Sequence, residues 1–169
     1  ETGDVFTQLV KTEPDFDVYD NAEDCIKNAD ILLIAVKPFH AKNVFESIKN
    51  HTSKHQVVIS VMAGVKISTI ESGIGLEKIV RSMPNLPAMI GKGMTAFTAS
   101  KNLSIEEEKI VVKILESTGE VIQVKTEDDI DKSTGLSGSG TAYILYFMEG
   151  LINAAKEFGF SEEEAKKIV

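Results

Sequence analysis

Two short, unbroken apolar runs do most to restrict the fold: Asp30-Ile31-Leu32-Leu33-Ile34-Ala35-Val36, closed by Lys37-Pro38, and Val57-Val58-Ile59-Ser60-Val61. Runs of this length, rich in branched aliphatic residues and without polar alternation, suit strands buried on both faces, as in a parallel sheet. Residues 39–50 between them carry Phe39, Val44, Phe45 and Ile48 at roughly helical spacing, so the stretch predicts a βαβ unit. The pattern continues with a short helix over 67–72, a strand at Ile79-Val80-Arg81, the turn Met83-Pro84-Asn85-Leu86-Pro87 and a strand over 94–98. A helix then starts at Ser104, where Glu107 stands three residues on in a capping box, and Val121-Ile122-Gln123-Val124 closes the series as a last strand. Alternating strands and helices predict a doubly wound α/β domain over residues 1–125.

From Thr126 the chain turns acidic, then rich in Gly and Ser, and a domain boundary is expected there, with 126–169 forming the start of a helical domain. Asp128, Asp129 and Asp131 are expected in a solvated loop. The helix over about 141–158 is apolar nearly all round, with Glu149, Asn153, Lys156 and Glu157 its strongly polar residues, so it needs cover on several sides. Its natural mate is another chain or a further domain. Gly159 is placed to end it, and Ser161 with Glu164 to start the next.

With 43% hydrophobic residues among 169, the chain can bury a core. A net charge of -8 repels a phosphate backbone, so nucleic acid is not an expected partner. No run reaches the roughly 18 to 20 apolar residues of a spanning helix, so no membrane association and a cytoplasmic protein are expected. The one cysteine, Cys25, allows no internal disulfide. His40, His51 and His55 lack metal-ligand spacing, so no metal is expected.

Ligands of open parallel sheets bind at the carboxyl ends of the strands. Those ends are Ala35-Val36-Lys37-Pro38, Met62-Ala63-Gly64-Val65 and Met83 to Pro87. Ala35, Ala63 and Gly64 are small enough to let a flat ligand approach the backbone, and Lys37 offers a cation for a phosphate. The same Pro and Gly residues also suit plain chain turns. Gly91-Lys92-Gly93-Met94-Thr95-Ala96 spells the dinucleotide pattern G-x-G-x-x-A but precedes a strand instead of following one. Gly138-Ser139-Gly140 opens a helix but follows an acidic loop. A true glycine fingerprint is therefore expected upstream of Glu1.

"ADILLIAVKP", "VVISVMAGV", "IVRSMPNLPAMIGKGMTAF" and "DKSTGLSGSGTAY" occur in the order and spacing of the pyrroline-5-carboxylate reductase family, which residues 21–169 resemble along nearly their whole length. The resemblance implies a Rossmann-type domain followed by the start of an all-helical dimerisation domain that interlocks with a second subunit. It implies reduction of the cyclic imine 1-pyrroline-5-carboxylate to L-proline, the last step of proline synthesis, with NADPH, or NADH in its place, and a homodimer or larger homo-oligomer. On the same ground, Ala35, Val36, Lys37, Pro38, Ala63 and Gly64 line the dinucleotide, Asn21 contacts its adenosine side, and Pro84 and Asn85 form the nicotinamide-end turn. Ser137, Ser139 and Asn85 are the candidates nearest substrate; the serines either cap the helix or face it. No residue stands out as a strong general acid. Thr141 replaces the family's Pro and is expected to loosen the helix start slightly. The family's later helices, including its substrate-carboxylate segment, are expected beyond Val169, leaving these residues catalytically incomplete. The other readings are a related β-hydroxyacid or imine dehydrogenase and a non-catalytic nucleotide-binding dimerisation module.

Overall fold

Val58 and Ile59 retain no solvent exposure, and the strand that contains them, β2 (Val57–Ser60), is buried along its whole length. Such a strand must pair its backbone on both edges, because a buried N–H or C=O without a partner is costly. It does so in parallel, with β1 (Ile31–Ile34) in the register Ile31↔Val57 to Ile34↔Ser60 and with β3 (Ile79–Met83) in the register Val58↔Ile79 to Ser60↔Arg81. These strands belong to a computed structural model that describes residues 16–169. The first fifteen residues of the expected nucleotide-binding domain lie outside the described residues.

The chain divides into two compact units, Glu1–Ser82 with Thr98–Val111, and Met83–Phe97 with Val112–Val169. In the first, α1 (Ala22–Ile26), α2 (Ala41–Ile48) and α3 (Ile67–Ile74) alternate with the strands. Their apolar faces, carried by Ile26, Phe45, Ile48, Ile70 and Ile74, form one core with Leu32, Ile34, Val58 and Ile79. Each such side chain contributes about 1.5–3 kcal/mol on burial. Gln56 is buried at the start of β2 yet fully paired: its Nε2 donates to Ile26 O (2.9 Å) and Ala29 O (2.7 Å), and its Oε1 accepts from Ser53 N–H (2.8 Å). One expectation needs correction. β1 is not buried on both faces: Leu32 and Ile34 face the core, but Leu33 is 56% exposed, since the described residues of this unit cover only one side of β1.

The second unit holds most of β4 (Gly93–Ala99), β5 (Gly119–Gln123), α5 (Glu127–Ser133), a π turn (Thr134–Gly138), α6 (Gly140–Glu157) and α7 (Glu162–Ile168). α4 (Ile105–Glu116) spans the boundary between the two units. β4 and β5 are parallel, and the five strands are bonded in the order β1-β2-β3-β4-β5. The chain reverses once. Ser100 N–H donates to Ile79 O (2.8 Å) and Ile79 N–H to Ser100 Oγ (3.0 Å), which sets the residue after β4 beside the first residue of β3. Residues 84–92 are too few for the parallel crossover of roughly a dozen residues.

The acidic stretch after Thr126 departs from expectation. Asp128, Asp129 and Asp131 lie on α5, not in a loop, because Thr126 and Asp129 form a capping box: Asp129 N–H donates to Thr126 Oγ1 (3.2 Å) and Thr126 N–H to Asp129 Oδ2 (3.2 Å). The expected boxes at Ser104 with Glu107 and at Ser161 with Glu164 are both formed, and Gly159 ends α6 with φ of 96°.

At the start of the β4–β5 ladder, Gly93 pairs with Gly119, which has φ of 141°, and a Cβ on Gly119 would overlap the Gly93 backbone O and N. Gly119→Ala is expected to cost about 2 kcal/mol or more, read as a lowered denaturation midpoint. Glu107 provides a second test. The Lys78 ammonium donates to its carboxylate at 2.6 Å and Ser104 N–H donates to the other oxygen, which together hold its pKa down at about 2 from an ordinary 4.5. A carboxylate depressed in the folded state adds stability above its ordinary pKa and loses it as pH falls toward the folded value. The stability advantage of the native protein over Glu107→Gln should therefore shrink between about pH 4.5 and 2, measured by chemical denaturation across that range.

Candidate functional site

In the first unit, the carboxyl ends of β1 and β2 leave the sheet side by side. Val61 N–H donates to Ile34 O (3.2 Å), carrying the pairing one residue past β2. Ser60 Oγ accepts from Met62 N–H (3.3 Å), and Ser82 Oγ donates to Ser60 O (3.0 Å), so the neighbouring strand ends are cross-tied. Ala35, Lys37, Pro38, Ala63 and Gly64 are exposed on the segments that follow, while Val36 packs against the core. Pro38 opens a short 3-10 turn that leads into α2, which sets the direction of the chain as it leaves β1. Gly64 has φ of 71°, with open space where a Cβ would stand, so this turn needs glycine for its backbone conformation rather than for room. Exposed small residues with one lysine suit a planar anionic ligand lying against the strand ends.

The second unit brings together residues far apart in sequence. Pro84 and Asn85 follow β3, and both are half-buried. Asn85 Oδ1 accepts from Met94 N–H (2.9 Å) at the start of β4, and its Nδ2 donates to Ser137 Oγ (2.9 Å), 52 residues on. Ser137 lies in the π turn, where Ser139 N–H reaches back to Thr134 O (2.8 Å), five residues away. Such insertions in helices are uncommon and often mark functional sites.

The two serines therefore part company. Ser137 is held by Asn85, whereas Ser139 is exposed and makes no side-chain cap bond to α6. Gly138 and Gly140 have no positive φ; a Cβ on Gly140 would meet nothing within 4 Å, and one on Gly138 would make only ordinary contacts. No tight backbone path is imposed there, because 127–157 runs almost continuously helical through the π turn. For the same reason Thr141 does not sit at a frayed start: its Oγ1 donates to Ser137 O (3.3 Å). Asn21 N-caps α1, its Oδ1 accepting from Asp24 N–H (2.9 Å) and its Nδ2 donating to Asp20 and Asp24. The links from Asn85 to Met94 and Ser137 left no sequence signal, since hydrogen bonds across 9 and 52 residues have no periodicity.

A parallel-dominated sheet with ligand-accessible strand ends, followed by a helical segment, is the Rossmann-type architecture of nucleotide-dependent oxidoreductases. Family models agree: residues 7–64 match the NADP oxidoreductase, coenzyme F420-dependent family, and residues 127–169 match the pyrroline-5-carboxylate reductase dimerisation family. The chain is 37% identical over 145 residues to pyrroline-5-carboxylate reductase 1 of Bacillus subtilis, across 85% of this chain and 48% of that protein. The solved pyrroline-5-carboxylate reductase of Coxiella burnetii superposes with a TM-score of 0.86 at 34% identity, over 96% of this chain and 61% of that one. The Plasmodium falciparum pyrroline carboxylate reductase with NADP bound gives 0.82 at 36%, over 89% and 57%. The chain thus belongs to the pyrroline-5-carboxylate reductase family, and it spans about half the length of the curated relatives it matches.

Asn85→Ala removes the acceptor of Met94 N–H and the donor to Ser137 and should cost about 1–3 kcal/mol. Ser139→Ala, exposed and without a cap bond, should change stability by less than about 0.5 kcal/mol. Urea denaturation midpoints of the two variants check the contrast.

Proposed function

We propose that the whole protein is a cytoplasmic pyrroline-5-carboxylate reductase, reducing the cyclic imine 1-pyrroline-5-carboxylate to L-proline as the last step of proline synthesis, with NADPH preferred and NADH as the alternative. The observation that carries this reading is the Asn85–Ser137 hydrogen bond, which joins the M-P-N-L-P and S-G-S-G motifs into one site next to the carboxyl end of β3. Similarity to reductases at 34–37% identity supports it.

A bound nicotinamide nucleotide supplies the hydride. The tasks left to this chain are binding, alignment and exclusion of water. Ala35, Val36, Lys37 and Pro38 after β1, with Ala63 and Gly64 after β2, would hold the dinucleotide, Lys37 meeting its phosphate charge. Asn21 is assigned to its adenosine side and Pro84 with Asn85 to its nicotinamide end. Ser137 is the side chain best placed to donate a hydrogen bond to substrate or nicotinamide, and Ser139 the second candidate. A protonated imine is already electrophilic, which suits a site with no strong general acid.

In this reading residues 1–125 belong to the nucleotide-binding domain and 126–169 begin the dimerisation domain. Self-association is supported by α6, where Tyr143, Ile144, Tyr146 and Phe147 are exposed, Tyr146 by 79%, and Ala155 alone is buried. An apolar helix of this kind needs a partner surface. The full-length protein is expected to oxidise NADPH when pyrroline-5-carboxylate is added, followed by loss of the reduced-nicotinamide absorbance, and to sediment as a dimer or larger. No oxidation above the substrate-free rate would refute the enzymatic reading.

A further inference from the structure

Asn85 engages both ends of its amide. Its oxygen is taken by Met94 N–H, which leaves the NH2 group to face Ser137 Oγ at 2.9 Å. With that lone pair occupied, the Ser137 hydroxyl proton points away from Asn85. The Ser137 carbonyl is also engaged, accepting from Thr141 Oγ1 (3.3 Å). The serine is thus held at two atoms inside a π turn, and its O–H meets no acceptor among the described residues, which leaves it as a donor. Asn85 itself stands just past Pro84 at the carboxyl end of β3, where ligands of such sheets bind.

We propose that Asn85 is a positioning residue: it acts through Ser137, fixing that hydroxyl as a hydrogen-bond donor to an oxygen or nitrogen acceptor on the small molecule that reacts at the carboxyl end of β3. The proposal rests on the reductase reading for the identity of that molecule, but the Asn85–Ser137 coupling is independent of it.

Asn85→Asp is the informative variant. A carboxylate still accepts from Met94 N–H, so the local fold is kept. It cannot donate to Ser137 Oγ, and instead accepts the serine's proton and turns it inward. In the full-length protein, Asn85→Asp should lower kcat with pyrroline-5-carboxylate and NADPH by about tenfold, the worth of one lost hydrogen bond. Relative to the native protein its activity should recover as pH falls and the introduced carboxyl gains a proton to donate. In a Ser137→Ala background the same substitution should cost less than about twofold, because interacting residues are non-additive. Equal losses in both backgrounds, or a pH profile parallel to the native one, would overturn the proposal. A measurement without turnover separates the two readings: the side-chain amide resonance of Asn85 should move and exchange faster in Ser137→Ala. If the native protein is inactive but the resonance moves, the reductase reading fails and the coupling stands; an unmoved resonance removes the proposal whatever the activity.

Discussion

The fully buried strand β2 is the constraint on which the first unit depends. A strand with no exposed residue has no water to satisfy its backbone, so it needs a partner on each edge and apolar cover on each face. Parallel pairing with β1 and β3 meets the first need and forces a helical crossover between each pair of strands. Helices α2 and α3 supply those crossovers, and their apolar stripes meet the second need on one face. Because all three strands point the same way, their carboxyl ends emerge along one edge. The exposed residues Ala35, Lys37, Ala63 and Gly64 are consequences of that single direction.

The second unit is organised by short polar links. Asn85 spends one hydrogen bond on the start of β4 and one on the π turn, so a single amide sets both the path after β3 and the position of Ser137. The Gly93–Gly119 approach fixes the β4–β5 register at its first rung, since a side chain at either position would collide with backbone. A capping box at Thr126 starts α5, which leads into this turn, and another at Ser161 starts α7. The result is an irregular turn held from outside by the Asn85 amide and from within by the Ser139 N–H to Thr134 O bond.

Much of this was legible beforehand, for reasons that can be named. Continuous branched aliphatic runs mark strands, and the runs at 31–34 and 57–60 formed them, the second buried throughout. Ser104 with Glu107 and Ser161 with Glu164 are local signals, their partners three positions apart, and both formed as expected. The same local rule operates in Thr126 and Asp129, where the capping spacing outweighs the acidity that suggests a loop. Leu33 failed for another reason: an apolar run records that a strand can be buried on two faces, not that both faces find cover.

The sequence by itself determined the order of strands and helices, the ends of the helices and the residues that leave the strand ends, because hydrophobic period and capping act over a few neighbouring positions. Tertiary structure decided what those signals cannot reach. The placing of Ser100 beside Ile79, 21 positions apart, followed from hydrogen bonds that no local signal records. The pairing of Asn85 with Ser137 followed from bringing positions 52 apart within hydrogen-bond distance. That Ser137, and not Ser139 two residues on, bonds to the Asn85 amide followed from the same long-range contact.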